Sequence, residues 1–581
     1  MSKTTLTGIN GITVHRLQNS CNWVIDGHHI QAAGAPAFVP PDSGQPWTYD
    51  DNVSQDAYHW DVATQTWFLV GVGGGSADDD FRVQGSPAAT FGAGTVNNGA
   101  WRNGPIIIGS DTPRSSNVAL DIRPDAGNVQ EAQVLFTGVF NSTPASPIEG
   151  AAATAFMWLP EAAALRAGRD TDTVSFSNAN IGDYSFATGL NVRAAGEGSI
   201  AFGGTNSVQV NYSSITGGNN NIINNAAIQS IIGAGNNNQI LESFSSIIGS
   251  GSGNIINVIA ESRSNGILSG NINEILGDTV DSGIVAGNGN EITNGVASII
   301  GAGTNNTLTD GDHAVIGGGS LNTLTDSVAA IIGGGQSNAI TTANFAGVLS
   351  GVNNNVQAVA SVIAGGSGNF IAAAIGDLGT IGGGTGNFLT NGAQYGSILG
   401  GRENEVRSLG GAIGGGRDNV IPVGFSYGAI PGGIEATSKN FGQLVMSSGQ
   451  LTIPGDAQWS INNVKIETTD DTPTNMVINP ALAATGVAIA GNQVYGVRGS
   501  VVARSGANDV SHWTIEATIK AAAGVAAIVG APTITLQAQD AGAAAWAVVV
   551  VVTGGTFTVQ VTGVVATTIH WCGSFHTTEV I

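Results

Sequence analysis

Charged residues are scarce in this chain of 581 residues, and positive charge is the scarcer kind. Lysine and arginine together number 18 against 41 aspartates and glutamates, so the formal net charge is −23. No run of more than two basic residues occurs. Binding to the phosphates of a nucleic acid needs clustered Lys and Arg, and anionic membrane surfaces make the same demand. We therefore expect no nucleic-acid partner.

Cysteines and long apolar runs are also few. Cys21 and Cys572 stand near opposite ends of the chain and do not make a disulfide framework. The longest apolar run, Ala543–Val552, has roughly half of the ~20 residues that a membrane-spanning helix needs. The opening residues, MSKTTLTGINGITVHRL, lack the apolar segment of a secretory signal. We expect a protein made and assembled in a cytoplasm, without membrane insertion.

Glycine and small apolar residues are what the chain has in abundance. It contains 87 glycines, and 42% of its residues are hydrophobic. Disordered chains are usually poor in hydrophobic residues, and collagen needs glycine at every third position, a period that is absent here. The composition therefore predicts an ordered, glycine-rich repeat fold.

One repeat dominates the centre of the chain. From Gly218 onward the pattern Gly-x-x-Asn-x-apolar recurs thirteen times, at intervals of 15 to 19 residues, and Ile, Leu or Val always stands two residues after the Asn. A period near 16 matches one turn of a β-solenoid rather than a helical repeat. The asparagines are Asn221, Asn238, Asn254, Asn273, Asn290, Asn306, Asn322, Asn338, Asn354, Asn369, Asn387, Asn404 and Asn419.

These asparagines suit the corners of a coil. Asn tolerates the left-handed backbone region and bonds to nearby backbone groups, while glycine supplies the positive φ of a turn. Stacked in successive coils, the side chains would form a ladder. We interpret all thirteen as structural ladder residues and assign them no ligand.

Upstream, a tighter repeat resembles a known fold. Ser185-x-Ala187-x-Gly189 recurs at Ser199 and again, with Ile in place of Ala, at Ser213, each step being fourteen residues. This pattern resembles the left-handed parallel β-roll of trimeric autotransporter adhesin heads. The resemblance implies three rolls packed about an axis, and the scarcity of Lys and Arg fits this, since only Arg263, Arg402, Arg407 and Arg417 fall between residues 212 and 421.

The regions before the repeat are not periodic. The segment YHWDVATQTWFLVGVG alternates like a β-hairpin. We read Asp78–Asp80 as a solvated loop and find no metal-site spacing in His28-His29 near Asp26. Pro160 followed by Glu161 to Arg166 predicts a short helix. The surrounding stretch from Ala151 to Gly168 is similar to segments of phage fibre and chaperone-like proteins.

After Ile421 the sequence changes character. Gly432-Gly433, Gly455-Asp456-Ala457-Gln458 and the run TTDDTPT from Thr468 to Thr474 resemble phage tail and fibre proteins. Alternating segments such as YGVRGSVVARS and WTIEATIKAAA follow and predict an antiparallel, jelly-roll-like β-sandwich. The resemblance implies a trimeric distal domain.

Motifs of enzymes are absent from the sequence. There is no His-Glu-x-x-His, no phosphate loop and no paired-Cys zinc spacing. Cleavage of a polysaccharide would need two carboxylates at a set separation. Glu261 with Asp281, or Glu403 with Glu405, are candidates that we read instead as solvated corners. We expect no enzymatic activity, no cofactor and no metal.

Aromatic residues near the C-terminus are candidates for binding a host receptor. They are Trp513, Trp546, Trp571 and His570, and for each Trp we favour packing in the core. None is assigned as a site residue.

The sequence thus predicts an all-β, homotrimeric virion fibre, most directly a bacteriophage tail fibre that contributes to host attachment. Residues 1–110 form a region that attaches to other virion proteins, 111–180 a transition, 181–430 a β-roll shaft, and 431–581 a β-sandwich tip that meets a host glycan or protein. A capsid fibre or decoration protein, a polysaccharide-degrading tailspike and a bacterial trimeric adhesin are the alternatives.

Overall fold

A computed structural model describes residues 153–581, except 160, 260–263, 374–377, 391, 480–485, 490, 523–524 and 581, together with eight short strands nearer the N-terminus. The chain divides into two compact units, Met1–Leu135 and Phe136–Ile581. No helix in the described part of the chain is long and apolar enough to cross a membrane.

In the described residues of the first unit, the strands pair in three small groups. β5 and β6 are antiparallel, with Trp60 opposite Trp67, as the alternating aromatic segment predicts. Asp78–Asp80 and His28-His29 lie outside the described residues. The strands are β1 (Thr4–Thr7), β2 (Thr13–Arg16) and β3 (Trp23–Asp26), then β4 (Thr48–Asp50), β5 (Ala57–Asp61) and β6 (Thr66–Gly71), then β7 (Ile106–Ile108) and β8 (Leu120–Ile122).

The second unit opens with a β-hairpin, and the short helix predicted after Pro160 is wrong. β9 (Ala153–Leu159) and β10 (Ala164–Asp170) pair antiparallel, with Leu165 opposite Trp158. Pairing overrides the helix propensity of this segment, because β10 also bonds in parallel to the next strand, β11. Burial follows the two-residue period of a strand, with Ala164 and Arg166 both fully buried.

The roll itself is made of two parallel sheets that alternate along the chain. Each coil contributes one strand to sheet A and one to sheet B, and each strand pairs in register with the corresponding strand of the next coil. Sheet A comprises β11 (Phe186–Leu190), β13 (Ile200–Gly204), β15 (Ser214–Ile215), β17 (Ile231–Ile232), β19 (Ile247–Ile248), β21 (Gly266–Ile267), β23 (Gly283–Ile284), β25 (Ile299–Ile300), β27 (Val315–Ile316), β29 (Ile331–Ile332), β31 (Gly347–Val348), β33 (Val362–Ile363), β35 (Thr380–Ile381), β37 (Ser397–Ile398), β39 (Ala412–Ile413) and β41 (Ala429–Ile430).

Sheet B has 15 strands and lies opposite sheet A across the core. Its strands are β12 (Arg193–Ala194), β14 (Ser207–Val208), β16 (Ile222–Asn224), β18 (Gln239–Leu241), β20 (Ile255–Val258), β22 (Glu274–Gly277), β24 (Glu291–Thr293), β26 (Thr307–Thr309), β28 (Thr323–Thr325), β30 (Ala339–Thr341), β32 (Asn355–Val356), β34 (Phe370–Ile371), β36 (Phe388–Leu389), β38 (Glu405–Val406) and β40 (Val420–Ile421).

One apolar side chain from each sheet fills the interior of each coil. Ile232 of sheet A and Ile240 of sheet B, for example, are fully buried. Burying a side chain of this size stabilises the fold by about 1.5–3 kcal/mol. The narrow roll therefore has a continuous, side-chain-filled core along its length.

Glycine is required at the corner before each asparagine. Gly235 has φ +111°, and a Cβ there would lie 2.0 Å from the carbonyl oxygen of Gly251 in the next coil. Any other residue at this corner would force neighbouring coils apart, which explains the glycine of the Gly-x-x-Asn pattern.

The C-terminal domain packs two antiparallel sheets over a second core. Phe557 and Phe575, one from each sheet, meet with ring centroids 5.3 Å apart. After the short β42 (Gly433–Ile434), the larger sheet contains β43 (Leu444–Ser448), β44 (Gln458–Thr468), β47 (Val494–Ser505), β48 (Val510–Ala522), β49 (Val525–Ile528), β50 (Thr533–Gln539) and β53 (Ile569–Val580). The smaller sheet contains β45 (Thr474–Asn475), β46 (Val487–Ala488), β51 (Ala547–Thr553) and β52 (Thr556–Thr562).

The all-β architecture predicted from the sequence is confirmed. A parallel solenoid occupies the centre of the chain and an antiparallel sheet follows it, with β43 pairing in parallel to β41 of the roll and antiparallel to β44. The two parts of the second unit thus share one hydrogen-bonded sheet.

Candidate functional site

The thirteen asparagines form one buried column along a corner of the roll. Each is fully buried. The side-chain oxygen of Asn221 accepts hydrogen bonds from the backbone N–H of Asn238 at 3.0 Å and from its side-chain amide at 3.1 Å. The same pair of bonds joins each asparagine to the next as far as Asn419.

The amide nitrogen of each rung is also fully engaged. In Asn238 it donates to Ala234 O in its own coil at 3.2 Å and to Gly251 O in the next coil at 3.0 Å. An amide supplies an acceptor and two N–H donors at one position. The three acceptors, Asn221 Oδ1 among them, therefore share two N–H groups, and one of the bonds is bifurcated. Because these groups are used within the ladder and shielded from solvent, the asparagines hold neighbouring coils together.

The column extends one residue beyond the predicted set at its N-terminal end. Asn206 is fully buried, and its side-chain oxygen accepts from the backbone N–H of Asn221 at 2.8 Å. The sequence contained the signal, since Gly203, Asn206 and Val208 already fit Gly-x-x-Asn-x-apolar. At the other end Ala436 donates its backbone N–H to Asn419 at 3.0 Å and closes the ladder.

A second column, of serines, was not predicted from the sequence. The Ser213 hydroxyl accepts from Ser230 N at 3.1 Å, and the Ser230 hydroxyl accepts from Ser246 N at 3.1 Å. Ser282 and Ser298 continue the pattern. This column lies at the start of the sheet A strands, and it too is structural.

Arg166 is the least expected buried side chain in the roll. It is fully buried, and burial lowers its pKa to about 10. Its guanidinium donates to Ser185 Oγ at 2.8 Å and to Ala194 O at 2.9 Å, with further bonds to the carbonyls of Ser185 and Asn180. Arg166 therefore ties the N-terminal hairpin to the first coil. A single arginine outside any repeat left no pattern from which to predict this role.

Of the four carboxylates considered for polysaccharide cleavage, the structure describes Glu403, Glu405 and Asp281. Glu403 is exposed at a corner, with Arg402 Nε 3.8 Å away, while Glu405 lies on the outer face of sheet B and bonds to Arg407. Asp281 has a positive φ and belongs to a turn, and Glu261 lies outside the described residues. Among the described residues no group of three or more His, Cys, Asp or Glu is arranged to hold a metal ion.

The three candidate tryptophans belong to the core of the C-terminal domain. Trp513 and Trp571 stack with ring centroids 5.7 Å apart, and Trp546 lies at the same distance from Trp571. All three are at most 5% exposed, and Trp571 Nε1 donates to Thr468 Oγ1 at 2.9 Å. Only His570 faces solvent, next to Glu467. The tryptophans are thus unavailable to a receptor.

A buried polar cluster lies where the roll meets the C-terminal domain. Lys439 Nζ bonds to Glu579 Oε2 and to Gly455 O, each at 2.6 Å. Burial raises the pKa of Glu579, although Lys439 and Gln458 both favour its charged form. The cluster joins residues 140 positions apart in the chain, so it fastens the domain to the end of the roll.

The loop before β44 is held by one carboxylate. Asp456 accepts the backbone N–H groups of Leu451, Thr452 and Ile453. Burial alone would raise the pKa of Asp456, but these N–H groups together hold it below its ordinary value. The carboxylate is therefore structural in its charged form.

Comparisons with known proteins give few matches. No family model and no curated protein matches the chain. Three solved structures are similar in part. The tailspike protein of Acinetobacter phage vB_ApiP_P1 is 12% identical over 66% of this chain and 82% of that one, with a TM-score of 0.19. A tailspike of Acinetobacter baumannii bacteriophage Fri1, described as a capsular polysaccharide depolymerase, is 8% identical over 71% of this chain and 79% of that one, with a TM-score of 0.19, and the tailspike of Acinetobacter baumannii phage AM24 is 10% identical over 68% of each chain, with a TM-score of 0.15. At TM-scores this low the superpositions establish neither a common fold nor a common activity.

Proposed function

We propose that the chain is a structural virion fibre, most directly a bacteriophage tail fibre that helps attach the particle to a host surface. The observation that carries the proposal is the stack of closed coils, filled by apolar side chains and tied by a continuous asparagine ladder. The 15 strands of sheet B, at ~4.8 Å spacing, span roughly 70 Å. Such a stack is suited to holding two ends of a molecule apart.

The assignment to a virion is supported by the segments after the roll. Gly432-Gly433, the Gly455–Gln458 stretch and the run from Thr468 to Thr474 resemble phage tail and fibre proteins. In this chain the second of these stretches contains Asp456, whose carboxylate organises the loop before β44. The resembling residues thus have a local structural role.

Labelling of particles tests this placement. Antibodies raised against residues 431–581 and coupled to gold would be applied to purified particles of the virus that encodes the chain. Label at the end of the tail supports the tail fibre. Label over the capsid favours the alternative of a capsid fibre, and particles without label would contradict a virion role altogether.

Host attachment is tested separately by competition. Purified protein should reduce adsorption of the virus to its host, and protein lacking residues 431–581 should not. A polysaccharide-degradation assay on the same host surface material distinguishes a passive fibre from a tailspike enzyme. Release of oligosaccharides would overturn the non-enzymatic assignment.

The proposal includes a homotrimer with a defined polarity. Residues 1–110 attach to other virion proteins, and residues 441–581 form the free end that contacts a host glycan or protein. The support for a trimer is the apolar, nearly uncharged outer surface of sheet A, which water would cover in a single chain.

A further inference from the structure

The two outer faces of the roll differ in chemistry. On sheet B, outward positions include Glu274, Glu291, Glu405 and several threonines. On sheet A, each strand has one outward residue directly before its buried residue and another directly after it, because side chains alternate along a strand. From Ile231 to Pro431 none of these outward positions is charged. Outward apolar residues occur on sheet B as well, among them Ile255, Leu276 and Phe370. What separates the two faces in this stretch is charge, which sheet B carries and sheet A lacks.

The outward positions of sheet A follow a rule. In the eight successive strands of sheet A from β17 to β31, one of the two positions holds Ile, Leu or Val and the other holds glycine. All of these large residues except Val315, which is half-buried, are exposed in the single chain, Ile231 by 43% and Leu268 by 57%. In order, the pairs are Ile231 with Gly233, Ile247 with Gly249, Gly266 with Leu268, Gly283 with Val285, Ile299 with Gly301, Val315 with Gly317, Ile331 with Gly333, and Gly347 with Leu349.

Glycines at the second position are explained by the chain's own backbone. A Cβ on Gly233 would lie 2.3 Å from Gly249 O in the next coil, and Gly301, Gly317 and Gly333 are similarly close to the coil that follows. Within one chain, these sites exclude any side chain.

Glycines at the first position are not crowded by backbone in this way. A Cβ on Gly266, Gly283 or Gly347 would meet its nearest atom at 3.4 to 3.5 Å, an ordinary van der Waals distance. Glycine within a strand costs roughly 0.5–1 kcal/mol relative to alanine, and it often marks a place where another backbone approaches closely. Gly266 and Gly347 are buried beneath Ile247 and Ile331 of the preceding coil, whereas Gly283 is only half-buried. Gly283 is therefore the position at which this face leaves room for a neighbour outside the chain.

We propose that the outer face of sheet A is the surface on which copies of this chain pack around a common axis, and that the uneven order of large residues and glycines sets their register. The inference rests on the trimer proposed above. The occupant is a second copy because the face runs coil after coil at the ~4.8 Å spacing of strands. A partner that matches it over eight coils must have the same spacing and the same length.

The order of the pattern opposes slippage. The large residue stands in the first position in β17 and β19, in the second in β21 and β23, in the first in β25, β27 and β29, and in the second in β31. With copies in register, each level along the axis has the same arrangement of large residue and glycine in all three copies. A shift by one coil places unlike levels together wherever the position switches, so the repeated fit of the registered arrangement is lost there.

Cysteine cross-linking tests the interface and its register together. In the full chain with Cys21→Ser and Cys572→Ser, Val285→Cys and Leu349→Cys would be made singly and oxidised. Copies in register around one axis bring identical residues to the same level, so both variants should form disulfide-linked dimers on denaturing gels. The control, Thr307→Cys on the outer face of sheet B, should form at least about tenfold less disulfide-linked dimer. Equal yields in all three variants, or no dimer in any, overturn the proposal.

Adding a side chain at Gly283 tests the close packing of copies independently of cross-linking. At Gly283 an added Cβ meets its nearest atom, Gly266 O, at 3.5 Å. The circular dichroism spectrum of Gly283→Ile should therefore keep its strand signal, but the added side chain should obstruct the neighbouring copy. We expect the dissociation constant of the assembly to rise at least about tenfold, as for overpacking of a core, with Thr307→Ile as the control that leaves it unchanged. Association equal to wild type in Gly283→Ile overturns the proposal. A monomeric wild-type chain does so as well, whereas the gold labelling and adsorption experiments decide the virion role.

Discussion

At the scale of single residues, the roll depends on amide groups that have no exposed atoms. Asn354 and Asn355 are neighbours in sequence and differ completely in role. The Asn354 side chain bonds to Asn338, to Ser350 O and to Gly366 O, and accepts from Asn369. Asn355 points away from the ladder, and its Oδ1 has no hydrogen-bond partner in the described part of the chain.

This contrast predicts opposite outcomes for one substitution. Asn354→Leu leaves buried partners in two coils without their bonds and should lower the free energy of unfolding by ~1–3 kcal/mol. Asn355→Leu breaks no such bonds and removes a buried amide oxygen that has no partner, so it should leave the free energy of unfolding unchanged or raise it. Urea unfolding of both variants checks this, and equal losses would mean that the ladder has no special role in stability.

Titration at single carboxylates gives a second prediction. The folded-state pKa of Glu579 is raised, so its contribution to stability is fully present below the ordinary glutamate pKa of about 4.3 and is lost as pH rises through the raised value. Replacing it by Glu579→Gln should remove that fall in stability toward neutral pH, although the unpaired Lys439 lowers stability throughout. Melting temperatures of both proteins between mildly acidic and neutral pH provide the measurement, and parallel pH profiles would contradict the assignment.

Asp456 should behave in the opposite sense. Its pKa is lowered in the folded state, so its contribution is present above the ordinary aspartate value of about 3.9 and is lost as pH falls through the lowered value. Asp456→Asn should therefore melt earlier than wild type at neutral pH and approach it in strong acid. A melting-temperature difference that is the same at every pH would be evidence against the role of the charge.

Residue patterns with a period were predictable, and isolated residues were not. The thirteen asparagines and the apolar residues two positions later repeat in every coil, so their common environment followed from the spacing. The serine column changes from Ser213 to Ala314 along the roll, which weakens its signal. Arg166 occurs once, and its role depends on a hairpin and a coil that only meet in three dimensions.

At the scale of elements, the N-terminal hairpin acts as an end cap for the first coil. Arg166 bonds to carbonyls of that coil, whereas Arg169, three residues further along β10, is exposed. Arg166→Met keeps much of the side-chain volume and removes these bonds. We expect faster amide hydrogen exchange in residues 181–201, equivalent to ~1–3 kcal/mol of local stability.

The rest of the shaft should be little affected by that change, because each coil contacts only its neighbours. Arg169→Met serves as the matched control and should leave exchange in the first coil unchanged. If Arg166→Met accelerates exchange uniformly to the end of the roll, the coils unfold as one unit and the hairpin is more than a local cap.

The same hairpin shows where prediction of elements from the sequence fails. Glu161 to Arg166 contains good helix formers, yet hydrogen bonds on both edges of β10 hold it as a strand. In the roll, local preference and long-range pairing agree, because β-branched residues, turn glycines and strand pairing all favour the same structure. The local sequence pattern was therefore sufficient to predict the strands.

At the scale of the whole molecule, the non-repetitive ends should have separate tasks. Lys439 at the end of the roll is paired with Glu579 near the C-terminus, so the domain after the roll is fastened to it. Deleting residues 441–581 removes that fastening and one of two features that hold copies in register, the other being the residue order on sheet A. The deletion should therefore give aggregated chains or chains out of register. Deleting residues 1–110 should leave a soluble trimer that cannot join particles. Incorporation of the N-terminal deletion into virions would show that the polarity is reversed.

The central claim is that the chain works as a trimeric fibre rather than as a single roll. Light scattering coupled to size-exclusion chromatography of the purified full chain tests it most directly. The account predicts one species with three times the mass of the chain, stable on dilution because the face of sheet A is buried. A folded, soluble species with the mass of one chain would contradict it.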